Sequence, residues 1–274
     1  MYSRLCRSTL PIYQKRIPSS MFATRSQTVP ISPQECEVKR IPNFFSSDDI
    51  KKIFRVQELY RENFSEPPPK RPFWVTTYLS TSTALSPNGL LKETEPELYN
   101  KIYNLKNLVD IKCTTQNELS GLQIRCIELH VYAPGGGLGD SKHFDGGSIV
   151  TVDIMLDDQF EGGAFQTCTE HLYNKNDHDN NGDHQNDTHT NNNNVSLHVE
   201  KHKFELGDAL IFPSLKYHQV GLITSGCRKV LVIEFWDGIE RHCDHRCHTP
   251  QGKCDYQRED IPSFHPPLDS GYFD

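Results

Sequence analysis

The pattern of hydrophobic and polar positions divides the chain into a helical beginning and a β-rich body. Over residues 46–64, Ile50, Ile53, Phe54 and Leu59 recur at helical spacing. Ser46 and Ser47 stand ahead of them as caps, with Asp48 and Asp49 in the first turn. The Pro67-Pro68-Pro69 run closes that region, and residues 73–79 read as a strand. A second helical stripe, Leu98, Ile102, Leu105 and Val109, is predicted over 94–109, with Thr94 as its cap and Glu95, Pro96 and Glu97 in its first turn. From Leu122 onward the period shortens. Segments at 122–132, 148–156, 164–167, 195–204, 208–212, 218–223 and 228–236 alternate or run apolar between turn residues. This succession of short strands after a helical start predicts a mainly β fold, a sandwich or jelly roll with helices packed outside.

A length of 274 residues suits one domain with additions at its ends. A formal net charge of -7 argues against nucleic acid as the main partner. No apolar run approaches the ~20 residues of a membrane span, and the longest, 230–236, is interrupted by Glu234, so no membrane association is expected. The nine cysteines are odd in number and scattered, unlike a secreted disulfide framework, and point to a reducing compartment. Ahead of the first acidic residue, Glu35, lie Arg4, Arg7, Lys15, Arg16 and Arg25 among Ser and Thr. That is the composition of a mitochondrial transit peptide and equally of a disordered basic tail, so a cytoplasmic or mitochondrial location is expected. Residues 173–194 are almost wholly Asn, Asp, His, Gly and Thr and read as a solvated insertion between two strands, with His178, His184 and His189 as solvated side chains. The chain thus divides into a basic tail or transit segment (1–34), a helical support region (35–121), a core (122–238) and a tail (239–274). In the tail Cys243, Cys247 and Cys254 stand among histidines, as a small zinc clip, as disulfide partners or as free thiols.

The candidate chemistry starts at His143-Phe144-Asp145. On an extended chain residues two apart share a face, so the imidazole and the carboxylate can reach one metal while Phe144 packs the other way. Two imidazoles and one carboxylate form the facial set of non-haem iron(II) oxygenases, which leaves coordination positions open where a structural zinc site would close them. A second His-x-Asp pair, His242-Cys243-Asp244, has too little chain after it to supply partners. After His143 the chain runs through strand-like segments to 204–213, and His218 follows. Ten residues later Arg228 opens a strand with apolar residues on both faces: Val230 and Val232 on one, Leu231, Ile233 and Phe235 on the other. An arginine buried there needs an anion, either an internal acid or a dicarboxylate cosubstrate.

In order and spacing, this constellation resembles the prolyl 4-hydroxylase-like family of iron(II)/2-oxoglutarate dioxygenases over about 122–236. The matched features are Tyr132 with the glycine-rich 134–139 turn, His143-x-Asp145, the Glu161-Gly162-Gly163-Ala164-Phe165 turn, the Gly207-Asp208-Ala209-Leu210-Ile211-Phe212 strand, His218, and Arg228 after Gly226. The resemblance implies a double-stranded β-helix (jelly roll, cupin-like) with flanking N-terminal helices. Fe(2+) would sit on His143, Asp145 and His218. Arg228, helped by the Tyr132 hydroxyl, would hold the far carboxylate of 2-oxoglutarate. O2 would be the other cosubstrate and L-ascorbate a reductant. The implied activity is hydroxylation of a substrate C–H bond with release of succinate and CO2, on a prolyl residue of a protein or on a small molecule. Arg228 stands where collagen-type members carry Lys, so collagen is not the indicated substrate. The rival expectation is a non-catalytic jelly-roll binding module that keeps the fold.

Overall fold

A computed structural model describes residues 32–63, 73–81, 88–108, 121–172 and 195–242. The basic segment up to residue 31, the polar insertion 173–194 and the cysteine-bearing tail from 243 lie outside the described residues.

β1 (Lys39–Ile41) leads into α1 (Ser47–Asn63). The Ser46 hydroxyl accepts from the Asp49 amide at 3.2 Å while the Asp49 carboxylate accepts from the Ser46 amide at 2.9 Å, so the two ends of the first turn satisfy one another. β2 (Trp74–Tyr78) follows. The helix expected over 94–109 begins at Pro96, and a short helix that was not expected precedes it. α2 (Leu90–Thr94) ends with the Thr94 hydroxyl bonded back to the Leu90 carbonyl, and α3 (Pro96–Tyr103) begins after Glu95. Thr94 therefore closes one helix rather than capping the next. Pro96 lacks the N–H that a continuous helix needs, and its ring disfavours helical geometry at Glu95. A 3₁₀ turn (Asn104–Leu108) completes the region.

The remaining strands are β3 (Gln123–Tyr132), β4 (Leu138–His143), β5 (Val150–Asp157), β6 (Phe160–Gly162), β7 (Phe165–Leu172), β8 (Val195–Lys201), β9 (Ala209–Pro213), β10 (His218–Val220), β11 (Ile223–Gly226) and β12 (Arg228–Trp236). They form a six-stranded antiparallel sheet in the order β1-β9-β5-β12-β3-β2, a four-stranded sheet β4-β10-β7-β8, and a small pair β11-β6. β1, β4 and β6 are too short or too polar to stand out in the hydropathy pattern. The segment expected over 218–223 is really two strands, which turn from one sheet to another around Gly221.

The two faces of β12 serve different interiors. Leu231, Ile233 and Phe235 join Val152, Ile154 and Ile127 in a core closed by Ile53, Val56, Leu98 and Ile102 from the helices. Each fully buried aliphatic chain there contributes roughly 1.5–3 kcal/mol. Val230 and Val232 face the other way, toward Tyr132 and Ile223. On this inner side Phe212 of the large sheet packs against Phe165 and His218 of the small one, with ring centroids 5.3 and 5.0 Å apart. The fold is thus mainly β, two antiparallel sheets in a jelly roll with the helices covering the outer face of the larger sheet. Among the described cysteines, Cys168 and Cys227 are free thiols while Cys36 is disulfide-bonded, a departure at one position from the expectation of reduced thiols.

Candidate metal centre

β4 and β10 run antiparallel with His143 directly opposite His218, so two imidazoles enter one point between the sheets. Their ring centroids are 4.5 Å apart and nearly perpendicular. β4 ends at His143, but the alternation continues past it. Asp145 turns inward and is buried, whereas Phe144 points out and is 43% exposed. The ligand atoms of His143, Asp145 and His218 all lie within 4.8 Å of one another. Asp145 Oδ1 is 3.3 Å from His143 Nε2, and its Oδ2 is 3.8 Å from His218 Nε2.

Neighbours fix these side chains. His218 Nδ1 lies 2.9 Å from the Lys216 carbonyl, which only accepts; Nδ1 therefore carries the proton and Nε2 presents its lone pair to the centre. Thr151 on β5 donates to Asp145 Oδ2 at 2.7 Å and contacts the Ser214 hydroxyl at 2.9 Å. The Asp145 amide donates to the Ser214 carbonyl at 2.8 Å. Arg125 holds the turn that follows: its Nη1 donates to the Gly146 carbonyl, the Ser148 hydroxyl and Glu234, at 2.7, 2.8 and 3.0 Å. Two imidazoles and one carboxylate, buried and converging, are a donor set suited to a divalent transition metal.

Arg228 opens β12 opposite Tyr132 on β3, with its side chain wholly buried. Its guanidinium lies over the rings of Tyr132 and Phe204, 5.6 and 5.8 Å from their centroids. Its Nε and Nη2 have no hydrogen-bond partner among the described residues. Burial pulls the guanidinium pKa down while Tyr132 and Asp153 push it up, and an arginine remains a cation under such shifts. Two orphaned donors on a buried cation mark a place for an anion. Gly163 makes room for the arginine stem: its φ is +61°, and a Cβ there would lie 3.2 Å from Arg228 Cδ and 2.3 Å from Ile223 Cδ1.

The same interior carries polar residues that the hydropathy pattern did not single out. Glu128, His130 and Tyr132 alternate inward along β3. His130 Nε2 donates to Glu128 at 2.7 Å, and the Tyr132 hydroxyl makes a long 3.4 Å contact with His130 Nδ1. Trp74 packs its ring against both His130 and Tyr132. Cys126, Glu128 and Glu234 form a second buried group with ligand-type atoms within 4.8 Å. Its carboxylates already have protein partners: Arg125 and Ser148 engage Glu234, and His130 engages Glu128. Asp153 faces inward from the middle of β5. Burial, with Asp145 and Glu234 adding to it and Arg228 opposing, pushes its carboxyl up to about 7. The available sequence signal was an acid at an inward position of an otherwise apolar strand.

No family model and no curated protein matches the sequence. Several solved structures are similar to this chain at low identity. One is an oxidoreductase of the 2OG-Fe(II) oxygenase family from Burkholderia pseudomallei, at 13% identity over 75% of this chain and 86% of that one, TM-score 0.44. Another is HygX from Streptomyces hygroscopicus with nickel and 2-oxoglutarate bound, at 13% identity over 76% and 85%, TM-score 0.42. A third is the viral collagen prolyl hydroxylase of Paramecium Bursaria Chlorella virus-1, at 11% identity over 73% and 96%, TM-score 0.41. At this level of likeness, what the site does is read from its own residues.

Proposed function

We propose that this protein is an iron(II)- and 2-oxoglutarate-dependent dioxygenase that hydroxylates a substrate C–H bond. The observation that carries the proposal is the pairing of a buried His143–Asp145–His218 ligand set with Arg228, a buried cation bearing two unsatisfied donors inside the same jelly roll. A structural zinc site would need a fourth protein ligand and would have no use for the arginine.

In this reading His143, Asp145 and His218 hold the metal through Nε2, a carboxylate oxygen and Nε2. When bound, iron(II) with 2-oxoglutarate and O2 supplies the oxidising chemistry, in which the cosubstrate is converted to succinate and CO2. The chain's own contribution is positioning. Lys216 and Thr151 orient the ligands, and Arg125 anchors the turn carrying Asp145. Arg228 offers its donors to the far carboxylate of 2-oxoglutarate, in a fork that a lysine cannot reproduce. Tyr132, opposite Arg228, forms the wall of that subsite. Phe165 and Phe212 keep the flank of His218 dry.

A prolyl residue in a protein is the first substrate to test, on the strength of the sequence resemblance, with free amino acids second. Purified protein supplied with iron(II), 2-oxoglutarate, ascorbate and O2 should form succinate, and faster with a true substrate. His143→Ala, Asp145→Ala and His218→Ala should each abolish turnover. Wild-type protein that binds no iron(II) would overturn the proposal.

A further inference from the structure

One buried acid inside the jelly roll has no task in the chemistry above. Asp153 sits in the middle of β5 and is 6% exposed. Among the described residues it makes no hydrogen bond or ion pair. Its strand neighbours at that level are Val232 on β12 and Leu210 on β9, neither of which can satisfy a carboxyl.

The ladder registers locate it. On the inner face of β5 and β12, Thr151 lies opposite Glu234, and Thr151 is bonded to the metal ligand Asp145. The next inward pair is Asp153 and Val232, then Met155 and Val230, and β12 begins at Arg228. Each such step is roughly 6.6 Å along a strand. Asp153 therefore lies on the stretch between the ligand set and Arg228. A dicarboxylate that reaches from the metal to the guanidinium passes beside it.

That placement creates a charge conflict. The cosubstrate brings two carboxylates into a dry interior whose free cation is Arg228. An ionised Asp153 would add a third. Carboxylates that share one site keep a proton between them, because two like charges at short range in low dielectric are too costly.

We propose that Asp153 is a cosubstrate-positioning residue that meets 2-oxoglutarate as a neutral carboxyl and donates its O–H to it. This rests on the function proposed above. The charged and titratable groups facing Asp153 support it. On β12 these are Arg228 and Glu234, the latter already engaged by Arg125; on β3, Tyr132 and the His130–Glu128 pair; and Asp145, just beyond β4, whose charge is taken by the metal. The facing positions of β9, Leu210 and Phe212, do not titrate. Burial holds the free carboxyl at about 7, with Arg228 opposing that rise. The sign follows. Below about pH 7 Asp153 is already protonated and affinity is flat. Above it a proton must be bound first, and affinity falls about tenfold per pH unit.

Anaerobic calorimetry of 2-oxoglutarate binding to the Mn(II)-loaded full chain tests this. Two buffers of different ionisation enthalpy at about pH 8 should report uptake of close to one proton. The Kd should rise about tenfold per unit between roughly pH 7.5 and 9. Asp153→Asn should keep the low-pH affinity, lose the pH slope and take up almost no proton. Should that variant fail to fold, Asp153→Ser serves the same comparison, and the uptake measurement needs no variant at all. Wild-type binding without proton uptake overturns the inference, as does a variant that keeps the wild-type slope. Absence of any 2-oxoglutarate binding at every pH is a different result: it overturns the dioxygenase proposal itself.

Discussion

Arg228→Leu separates a cosubstrate anchor from a structural ion pair. The side chain is wholly buried, with Nε and Nη2 unsatisfied and the guanidinium over two aromatic rings. Removing it relieves two unsatisfied donors, at about 1–3 kcal/mol each. It also forfeits cation–π contact of about 2 kcal/mol at a desolvated site and the packing of the stem. These terms nearly cancel, so the stability of the ligand-free protein should change by less than about 2 kcal/mol. Cosubstrate affinity behaves differently. A dicarboxylate deprived of its charge-assisted partner should lose roughly 2–5 kcal/mol, a weakening of roughly 30- to 5,000-fold. Anaerobic titration of 2-oxoglutarate into Mn(II)-loaded protein gives the affinity, and thermal melts with and without cosubstrate give the stability. Metal content should be unchanged. Had Arg228 instead been one half of a buried structural pair, its loss would cost about 3–5 kcal/mol and lower the melting temperature by roughly 10 °C or more. That fall, combined with unaltered cosubstrate affinity, would refute the anchor role.

The remaining predictions concern the shell of the site and the hairpin beside it. Gly163→Ala should cost about 1–3 kcal/mol in backbone strain and, because the new Cβ presses on Arg228 Cδ and Ile223, should weaken 2-oxoglutarate binding more than metal binding, as read by the same titration. Thr151→Val removes the 2.7 Å donor to Asp145 and should weaken metal affinity by roughly 10- to 100-fold, measured by competition with a chelator. Replacing residues 173–194 by Asn-Gly should leave the melting temperature and basal cosubstrate turnover nearly unchanged. The β7–β8 ladder closes at Leu172 opposite Val195, the separation a two-residue hairpin turn spans. A large fall in melting temperature would show that the insertion packs on the core. Loss of substrate-dependent turnover alone would make it part of the substrate site.

Much of this molecule was legible along the chain. Helical period at Ile50 and Ile53, apolar runs at 148–156 and 228–236, and the turn glycines between them are local signals, because burial on one face or both leaves its period in the residues themselves. Arg228 could be singled out because a charge in a doubly buried strand contradicts its surroundings. The short helix ahead of Pro96 was not legible, because it carries only Leu90 and Leu91 and no full apolar stripe. The strands β1, β4 and β6 exist because partners elsewhere complete their hydrogen bonds, and pairing between distant segments leaves no mark in local composition. Only the tertiary structure set His143 opposite His218, buried Asp145 against Thr151, paired Glu234 with Arg125, and left two nitrogens of Arg228 without a hydrogen-bond partner among the described residues, with Asp153 on the same inner face. Which charges are neutralised and which stay available depends on distances between strands far apart in sequence, and Coulomb energy in a dry interior depends on those distances.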